Sequence, residues 1–186
     1  MNNRFSVQDS RIIEQTRCWL EQTVIGLELC PFASHPFRHE RIRYAVCRHN
    51  TLQACMMQLI NECILLDNDP DIETTLLIFR RMFSHFDDYL DGLELAQQLL
   101  VQQGYEGRYQ LASFHPHYRF EGAATEDAAN YTNRSPWPML HLLRETSVAH
   151  ALRHSPQPEA IPQRNIACTR KLGLAHMRKL LDACNK

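Results

Sequence analysis

Three short apolar segments separated by helix-length segments constrain the fold of this chain most strongly. Residues 74–79 form a nearly continuous apolar run with β-branched side chains, typical of a strand covered on both faces. Residues 42–47 alternate in polarity and residues 109–114 follow Gly107, so both are predicted to be strands. The pattern predicts an α/β fold with a βαβαβ core, right-handed crossovers and a small, mainly parallel sheet. A ferredoxin-like α+β sheet is the alternative.

Amphipathic helices are predicted before, between and after these strands. They span roughly residues 10–29, 51–66, 84–104, 136–152 and 161–183, and a proline-containing linker is expected at residues 155–158. Pro31 ends the first helix, because the residue before a proline resists the helical conformation. The chain is therefore expected to be one α/β domain over residues 1–186, with residues 155–186 as a C-terminal helical extension.

Charge and cysteine content exclude several classes of protein. The 186 residues carry a net charge of -1 and no dense basic stripe, so a nucleic-acid partner is not expected. No apolar run is long enough for a membrane helix, and no signal-peptide core precedes the first helix. The seven cysteines include no C-x-x-C pair, which indicates reduced thiols used mostly as small core residues and a cytoplasmic location.

Polar chemistry is concentrated between Ser113 and Glu145. Residues 115–135 show no periodicity but contain several aromatic side chains, which favours an ordered functional loop over disorder. If the three strands are parallel, their carboxyl ends bring cationic and imidazole groups to one edge of the sheet, where α/β folds bind ligands. These groups are Arg48, His49, Arg80, Arg81, His115, His117 and Arg119. They predict a site for an anionic small molecule, although each arginine alone is equally typical of a solvated loop.

A second anion-binding feature is predicted at residues 133–138. Ser135 suits a helix N-cap and Pro136 the first helical position, so free N–H groups and the positive end of the helix dipole are expected there. Arg134 beside them would add a bidentate donor for a carboxylate or phosphate. A well-capped helix without a ligand is the alternative.

His141 and Glu145 stand four residues apart, on one face of the predicted fourth helix. Together with His115 and His117 they form a candidate set of ligands for a divalent metal. A hydrogen-bonded polar network is the alternative use of the same side chains.

Cys30 lies outside this stretch and is a candidate nucleophile. Its predicted position at the end of the first helix would raise its pKa, because the helix dipole there disfavours a thiolate. A structural thiol packed beneath the site is the alternative.

Three segments resemble a known family. They are residues 29–33 around Cys30, residues 113–120, and residues 130–145. Together they resemble an uncharacterised bacterial family, domain of unknown function 1415, over about residues 16–172. The resemblance implies no activity. It favours the residues within these segments over Arg80 and Arg81 as site residues.

The sequence leaves three functions open. One is a small cytosolic enzyme with His115, His117 and Cys30 as catalytic residues and an anionic substrate. The residues predicted to hold that substrate are Arg119, Asn130, Asn133, Arg134, Ser135 and Arg144. The others are a non-catalytic module that binds a metabolite or metal, and a protein-interaction domain with Trp137, Tyr118 and Phe120 as anchors.

Overall fold

The computed structural model describes residues 6–153 and 157–185 and contains a four-stranded sheet with helices on both faces. The strands are β1 (Ile42–Cys47), β2 (Thr74–Phe79), β3 (Tyr109–Phe114) and β4 (Met139–Arg144). The helices are α1 (Val7–Trp19), α2 (Ser34–Arg38), α3 (Leu52–Asn68), α4 (Phe86–Gln102), α5 (Glu145–Arg153), α6 (Ile161–Leu172) and α7 (Leu174–Cys184). A π-helix (Leu20–Ile25) continues α1, and short 3-10 helices lie at Ala128–Thr132 and Pro158–Ala160. The three predicted strands are confirmed.

The sheet is mixed, with strand order β1-β2-β4-β3. β1 and β2 are parallel, whereas β4 runs antiparallel to both β2 and β3. The α/β class is therefore confirmed, but the expectation of a mainly parallel sheet is partly wrong. β1, β2 and β3 still share one direction, because β4 is antiparallel to each of its neighbours.

β4 replaces the first half of the predicted fourth helix, so that part of the prediction is wrong. α5 forms the second half. Alternate residues of β4 point to opposite faces of the sheet, and helices cover both faces. Leu140 and Leu142 lie on one face, whereas Met139 and His141 lie on the other. Because the segment has Met or Leu on both faces, its apolar residues do not alternate, and its period does not distinguish a strand from a buried helix.

Each face of the sheet packs against its own set of helices. α3 and α4 seal the first face around Leu77, Phe79 and Leu142. α1, the π-helix and the end of α7 cover part of the second face, where Trp19 and Leu76 are buried. All six residues of β2 are buried, which confirms that this strand is covered on both sides.

The predicted helices 10–29 and 161–183 are both divided. α1 begins earlier than predicted, because Ser6 and Asp9 form a capping box, and it passes into the π-helix at Leu20. Gly173 adopts a positive φ of 82° and separates α6 from α7. Residues 155 and 156 of the predicted linker lie outside the described residues.

Cysteine usage differs in part from the expectation of reduced thiols. Cys47, Cys55 and Cys63 are core residues as predicted. Cys18 and Cys184, in contrast, form a disulfide with a Cα–Cα distance of 5.5 Å, which ties α1 to α7. Among the described residues, none of the helices is long and apolar enough to cross a membrane.

Candidate functional site

A cavity of about 1140 Å³ lies on the second face of the sheet. We call it the sheet-face cavity. Its floor is built from β2, β4 and β3, and includes Thr74, Leu76, Ala112, Phe114, His141 and Leu143. Its walls come from the π-helix, the segment 30–36, α5 and residues 157–164. These segments are far apart in the chain, so the cavity exists only in the folded protein.

The π-helix supplies one wall. Leu20 and Val24 from this helix line the cavity beside Trp19. π-helical turns are rare, and they occur frequently at functional sites because they shift side chains out of the ordinary helical register. A π-helix against a cavity therefore supports a functional role for this part of the molecule.

His141 and Thr74 form the polar part of the floor. His141 Nε2 lies 2.8 Å from Thr74 Oγ1, and Thr74 Oγ1 donates to the carbonyl oxygen of Leu142. Burial lowers the pKa of His141 to about 4, so its imidazole is neutral at physiological pH. This strand position replaces the predicted helical pairing of His141 with Glu145.

Cys30 lines the same cavity, and it is half-buried. Burial raises the pKa of its thiol, although hydrogen bonding from the backbone N–H groups of Phe32 and Ala33 acts in the opposite direction. The structure places Cys30 just before the turns that lead into α2, and not at the carboxyl end of a helix as predicted. Its role as a nucleophile stays a prediction.

His115 lies on the other side of the sheet, where it serves the structure. Its Nε2 lies 2.8 Å from the carbonyl oxygen of Phe83, and its Nδ1 accepts the backbone N–H of His117 at 3.0 Å. It is buried against Phe86 and Tyr89 of α4. Both ring nitrogens are thus occupied, and burial lowers the pKa of His115.

Arg134 and Asn130 hold the loop of residues 115–135, which we call the polar loop. Arg134 Nε donates to the carbonyl of Tyr118 at 3.1 Å and Nη2 to that of Thr125 at 2.7 Å. The same guanidinium stacks over Tyr131, 4.7 Å from the ring centroid. Asn130 accepts the N–H of Phe120 and donates to the carbonyls of residues 124 and 125.

The other predicted binding residues are also engaged by the fold or lie at the surface. Asn133 Nδ2 donates to the carbonyl of Ser113 at 3.0 Å. Ser135 bonds the carbonyl of Trp137 and caps no helix, so the predicted helix N-terminus at Ser135–Pro136 is wrong. Arg144 donates to carbonyls at the end of α3 and in the turn after it, which are those of Leu66, Asp69 and Ile72. His117 and Arg119 are exposed.

The predicted metal ligands are not brought together. His141 lies on the cavity face of the sheet, whereas His115 packs against α4 on the opposite face. Glu145 begins α5, where its N–H donates to the carbonyl of Arg108. Within residues 6–153 and 157–185, no group of three or more His, Cys, Asp or Glu side chains could hold a metal ion.

Of the groups predicted to form a cationic edge of the sheet, Arg48 and Arg80 do meet, but a carboxylate already lies between them. Asp9 is buried and pairs with Arg48 after β1 and with Arg80 after β2. Burial raises the pKa of Asp9, yet hydrogen bonds from Ser6 and Arg48 outweigh it, so the pKa lies below the usual value. These arginines anchor the start of α1.

Sequence reasoning missed Thr74 and the contribution of the π-helix. A polar residue at the start of an otherwise apolar strand was the available signal for Thr74. Leu20 and Val24 gave no such signal, because leucine and valine in a cavity wall cannot be distinguished in the sequence from those in an ordinary core.

The match to known proteins agrees with the three segments around Cys30, Ser113 and Asn130. A family model described as "Protein of unknown function (DUF1415)" matches residues 11–179. The chain belongs to this family. The match spans both the polar loop and the sheet-face cavity. No curated protein and no solved structure matches the chain.

Proposed function

We propose that this chain binds a small, largely apolar molecule in the sheet-face cavity. The observation that carries the proposal is the cavity itself, about 1140 Å³ in volume and lined mainly by apolar side chains. Ligand pockets typically enclose roughly 300–1,000 Å³ and combine apolar walls with a few polar groups that orient the ligand. The floor pair His141–Thr74 and the wall residue Cys30 supply such groups.

The location of the cavity supports the same proposal. α3 and α4 cover the first face of the sheet around a packed core, whereas the helices on the second face leave Ala112 and Leu143 beside open space. An uncovered apolar floor is unfavourable in water, because apolar surface gains free energy when it is removed from water. A ligand that fills the cavity would supply that burial.

A second apolar depression provides a control. It encloses about 610 Å³ on the outer side of α3 and α4 and includes Met56, Met57 and Leu95 in its lining. Met57 is 61% exposed, so this depression is a shallow surface feature. A probe that simply adheres to apolar surface would bind here as well.

The test is a titration with N-phenyl-1-naphthylamine, a neutral apolar dye whose fluorescence rises when it leaves water. We expect saturable binding at one site. Ala112→Phe, which places an aromatic ring on the cavity floor, should weaken that binding by roughly tenfold or more, equivalent to at least about 1.4 kcal/mol. Ala167→Phe on the exposed surface of α6 and Met57→Lys in the outer depression should leave it unchanged.

Two results would reject this proposal. One is the absence of saturable binding to the folded wild-type protein. The other is binding that Met57→Lys abolishes and Ala112→Phe preserves, because the dye would then occupy the outer depression.

An enzyme acting on an anionic small molecule is the second candidate. His35 and Arg164 in the cavity lining favour it, since both can bear positive charge. Cys30 in the wall is the nucleophile that such an enzyme would have. The polar loop contributes less to this candidate, because the contacts of His115 and Arg134 are with the backbone.

A further inference from the structure

The hydrogen bonds of Thr74 determine where the proton of His141 lies. A threonine hydroxyl has one proton to donate. Thr74 gives it to the carbonyl oxygen of Leu142, which has no proton of its own. The contact of 2.8 Å between Thr74 Oγ1 and His141 Nε2 is therefore a hydrogen bond only if Nε2 carries the hydrogen.

The second ring nitrogen of His141 is consequently an acceptor. With the proton on Nε2, a neutral imidazole has a bare lone pair on Nδ1. In the described part of the chain, Thr74 is the hydrogen-bond partner found for this ring, and it uses Nε2. His141 also lines the cavity, so the vacant acceptor belongs to the cavity floor.

The surroundings keep this ring neutral. Burial is the cause of its lowered pKa, and no neighbouring charge contributes. The titratable side chains elsewhere in the lining are Cys30, His35, Glu73, Arg144, His150 and Arg164. A carboxylate placed against the bare lone pair of Nδ1 would be repelled by it, whereas a hydroxyl or N–H group would find a hydrogen-bond partner.

We infer that the Thr74–His141 pair selects ligands that place a neutral hydrogen-bond donor, an O–H or N–H group, on the floor of the sheet-face cavity. This inference rests on the proposed function and narrows its ligand class to apolar molecules with such a donor, for example aromatic alcohols or ring N–H compounds. His141 acts as the acceptor, and Thr74 acts as a positioning residue that fixes the tautomer.

A matched series of ligands tests the inference. 2-Naphthol carries a donor, 2-methoxynaphthalene lacks it, and 2-naphthoate is anionic, while the apolar part is the same in all three. In calorimetric titrations at pH 7 we expect 2-naphthol to bind about fivefold more tightly than 2-methoxynaphthalene, the effect of one neutral hydrogen bond. 2-Naphthoate should bind most weakly.

Variants assign that preference to the histidine. His141→Phe keeps a flat ring but removes the acceptor, so it should bind 2-naphthol and 2-methoxynaphthalene equally. His141→Gln retains an acceptor oxygen and should keep part of the preference. Binding of 2-methoxynaphthalene, which offers no donor to His141, shows for each variant whether its cavity is intact.

A spectroscopic measurement reports the tautomer directly. In protein with ¹⁵N-labelled histidine, Nδ1 of His141 should give the resonance of an unprotonated nitrogen and should shift when 2-naphthol is added. In Thr74→Val the two tautomers should become mixed, because the hydroxyl that fixes the proton on Nε2 is absent.

The outcomes separate this inference from the proposed function. If the dye binds but wild-type protein shows no preference for 2-naphthol, or prefers 2-naphthoate, the inference is wrong and the cavity remains a binding site. A protonated Nδ1 in the ligand-free protein overturns it as well. If neither the dye nor any member of the series binds, both fail together.

Discussion

Two polar regions of the molecule, the polar loop and the floor of the sheet-face cavity, use their polar side chains differently. In the polar loop, Arg134, Asn130 and His115 direct their polar atoms to backbone groups. On the cavity floor, Thr74 bonds His141 Nε2 and the carbonyl of Leu142, and we infer that His141 Nδ1 remains an acceptor for a ligand. The first region is conspicuous in the sequence, and the second is not. The difference teaches that a dense run of polar residues can indicate architecture, whereas an isolated one can indicate a site.

The physical reason lies in the backbone of the loop. Residues 115–138 connect β3 to β4 with little regular structure, so many of their N–H and C=O groups lack ladder partners. A buried backbone group without a partner is unfavourable by roughly 1–3 kcal/mol. Side chains such as Arg134 and Asn130 supply those partners, which explains how this loop is ordered with so little regular structure.

The largest effect is expected for Arg134→Ala. This change leaves the carbonyl of Tyr118 without a side-chain partner and that of Thr125 with Asn130 alone, and it removes the stacking on Tyr131. It should therefore lower the free energy of unfolding by about 4 kcal/mol. Arg119→Ala, at an exposed position of the same loop, should change it by less than about 0.5 kcal/mol. Urea denaturation measures both. If the two variants were equally stable, Arg134 would not be needed to hold the loop, and ligand binding would again be the favoured role for its side chain.

The next largest effect is expected from a fall in pH, which should lower the free energy of unfolding through protonation of His141. Its folded pKa of about 4 lies below the unfolded value of 6.5, so the stability it contributes is complete above pH 6.5 and is lost as the pH falls towards 4. The loss should be about 3 kcal/mol for this group. Wild type should therefore lose about 3 kcal/mol more than His141→Gln between pH 6.5 and 4 in urea denaturation. The lowered pKa of His115 contributes equally to both proteins. Parallel pH profiles would mean that His141 is not held neutral.

Gly92→Ala should have a moderate effect confined to the face of the sheet that α3 and α4 cover. A Cβ at this position would lie 2.4 Å from Cε1 of Phe83, whose carbonyl contacts His115 and whose own φ is positive at 64°. Such overpacking should lower the free energy of unfolding by about 2 kcal/mol. The dye should bind the folded variant as tightly as wild type. A weakened dye site would show that the two polar regions are coupled.

The smallest effect concerns the reactivity of Cys30. Because burial raises the pKa of its thiol, alkylation by iodoacetamide should be slow at pH 7 and should accelerate as the pH rises beyond the ordinary value of 9. Saturating N-phenyl-1-naphthylamine should slow it further, whereas labelling of Cys168 in α6 should not respond to the dye. Mass spectrometry of labelled peptides measures each site separately. Rapid labelling of Cys30 at neutral pH would instead favour the enzyme.

Local sequence patterns predict much of this fold. β1, β2 and β3 end where their apolar patterns end, and α3 begins after Thr51, at the predicted start of that helix. β4 could not be recognised in this way, because burial on both faces removes the alternation that identifies a strand. The division at Gly173 could have been predicted from the glycine, although the apolar pattern continues beyond it.

The site was less predictable than the fold, since it depends on distant contacts. His141 was singled out as a metal ligand on a helix, but its actual partner is Thr74, 67 positions earlier in the chain. Cys30 was singled out from a local motif, and its place in the cavity wall follows from the turn after the π-helix. Sequence spacing predicts neither of these. The His141–Thr74 contact depends on how β2 and β4 pair, and the place of Cys30 depends on the path of the chain after the π-helix.

The position of β4 has a consequence for the order in which the protein can fold. β4 is the last strand to emerge during synthesis, yet it lies between β2 and β3. β1, α3 and β2 can form a parallel unit as soon as residue 79 is available, but β3 has no strand beside it until residues 139–144 arrive. The newborn chain must therefore keep the edge of β2 free through 59 further residues, and the His141–Thr74 contact closes only when that gap is filled.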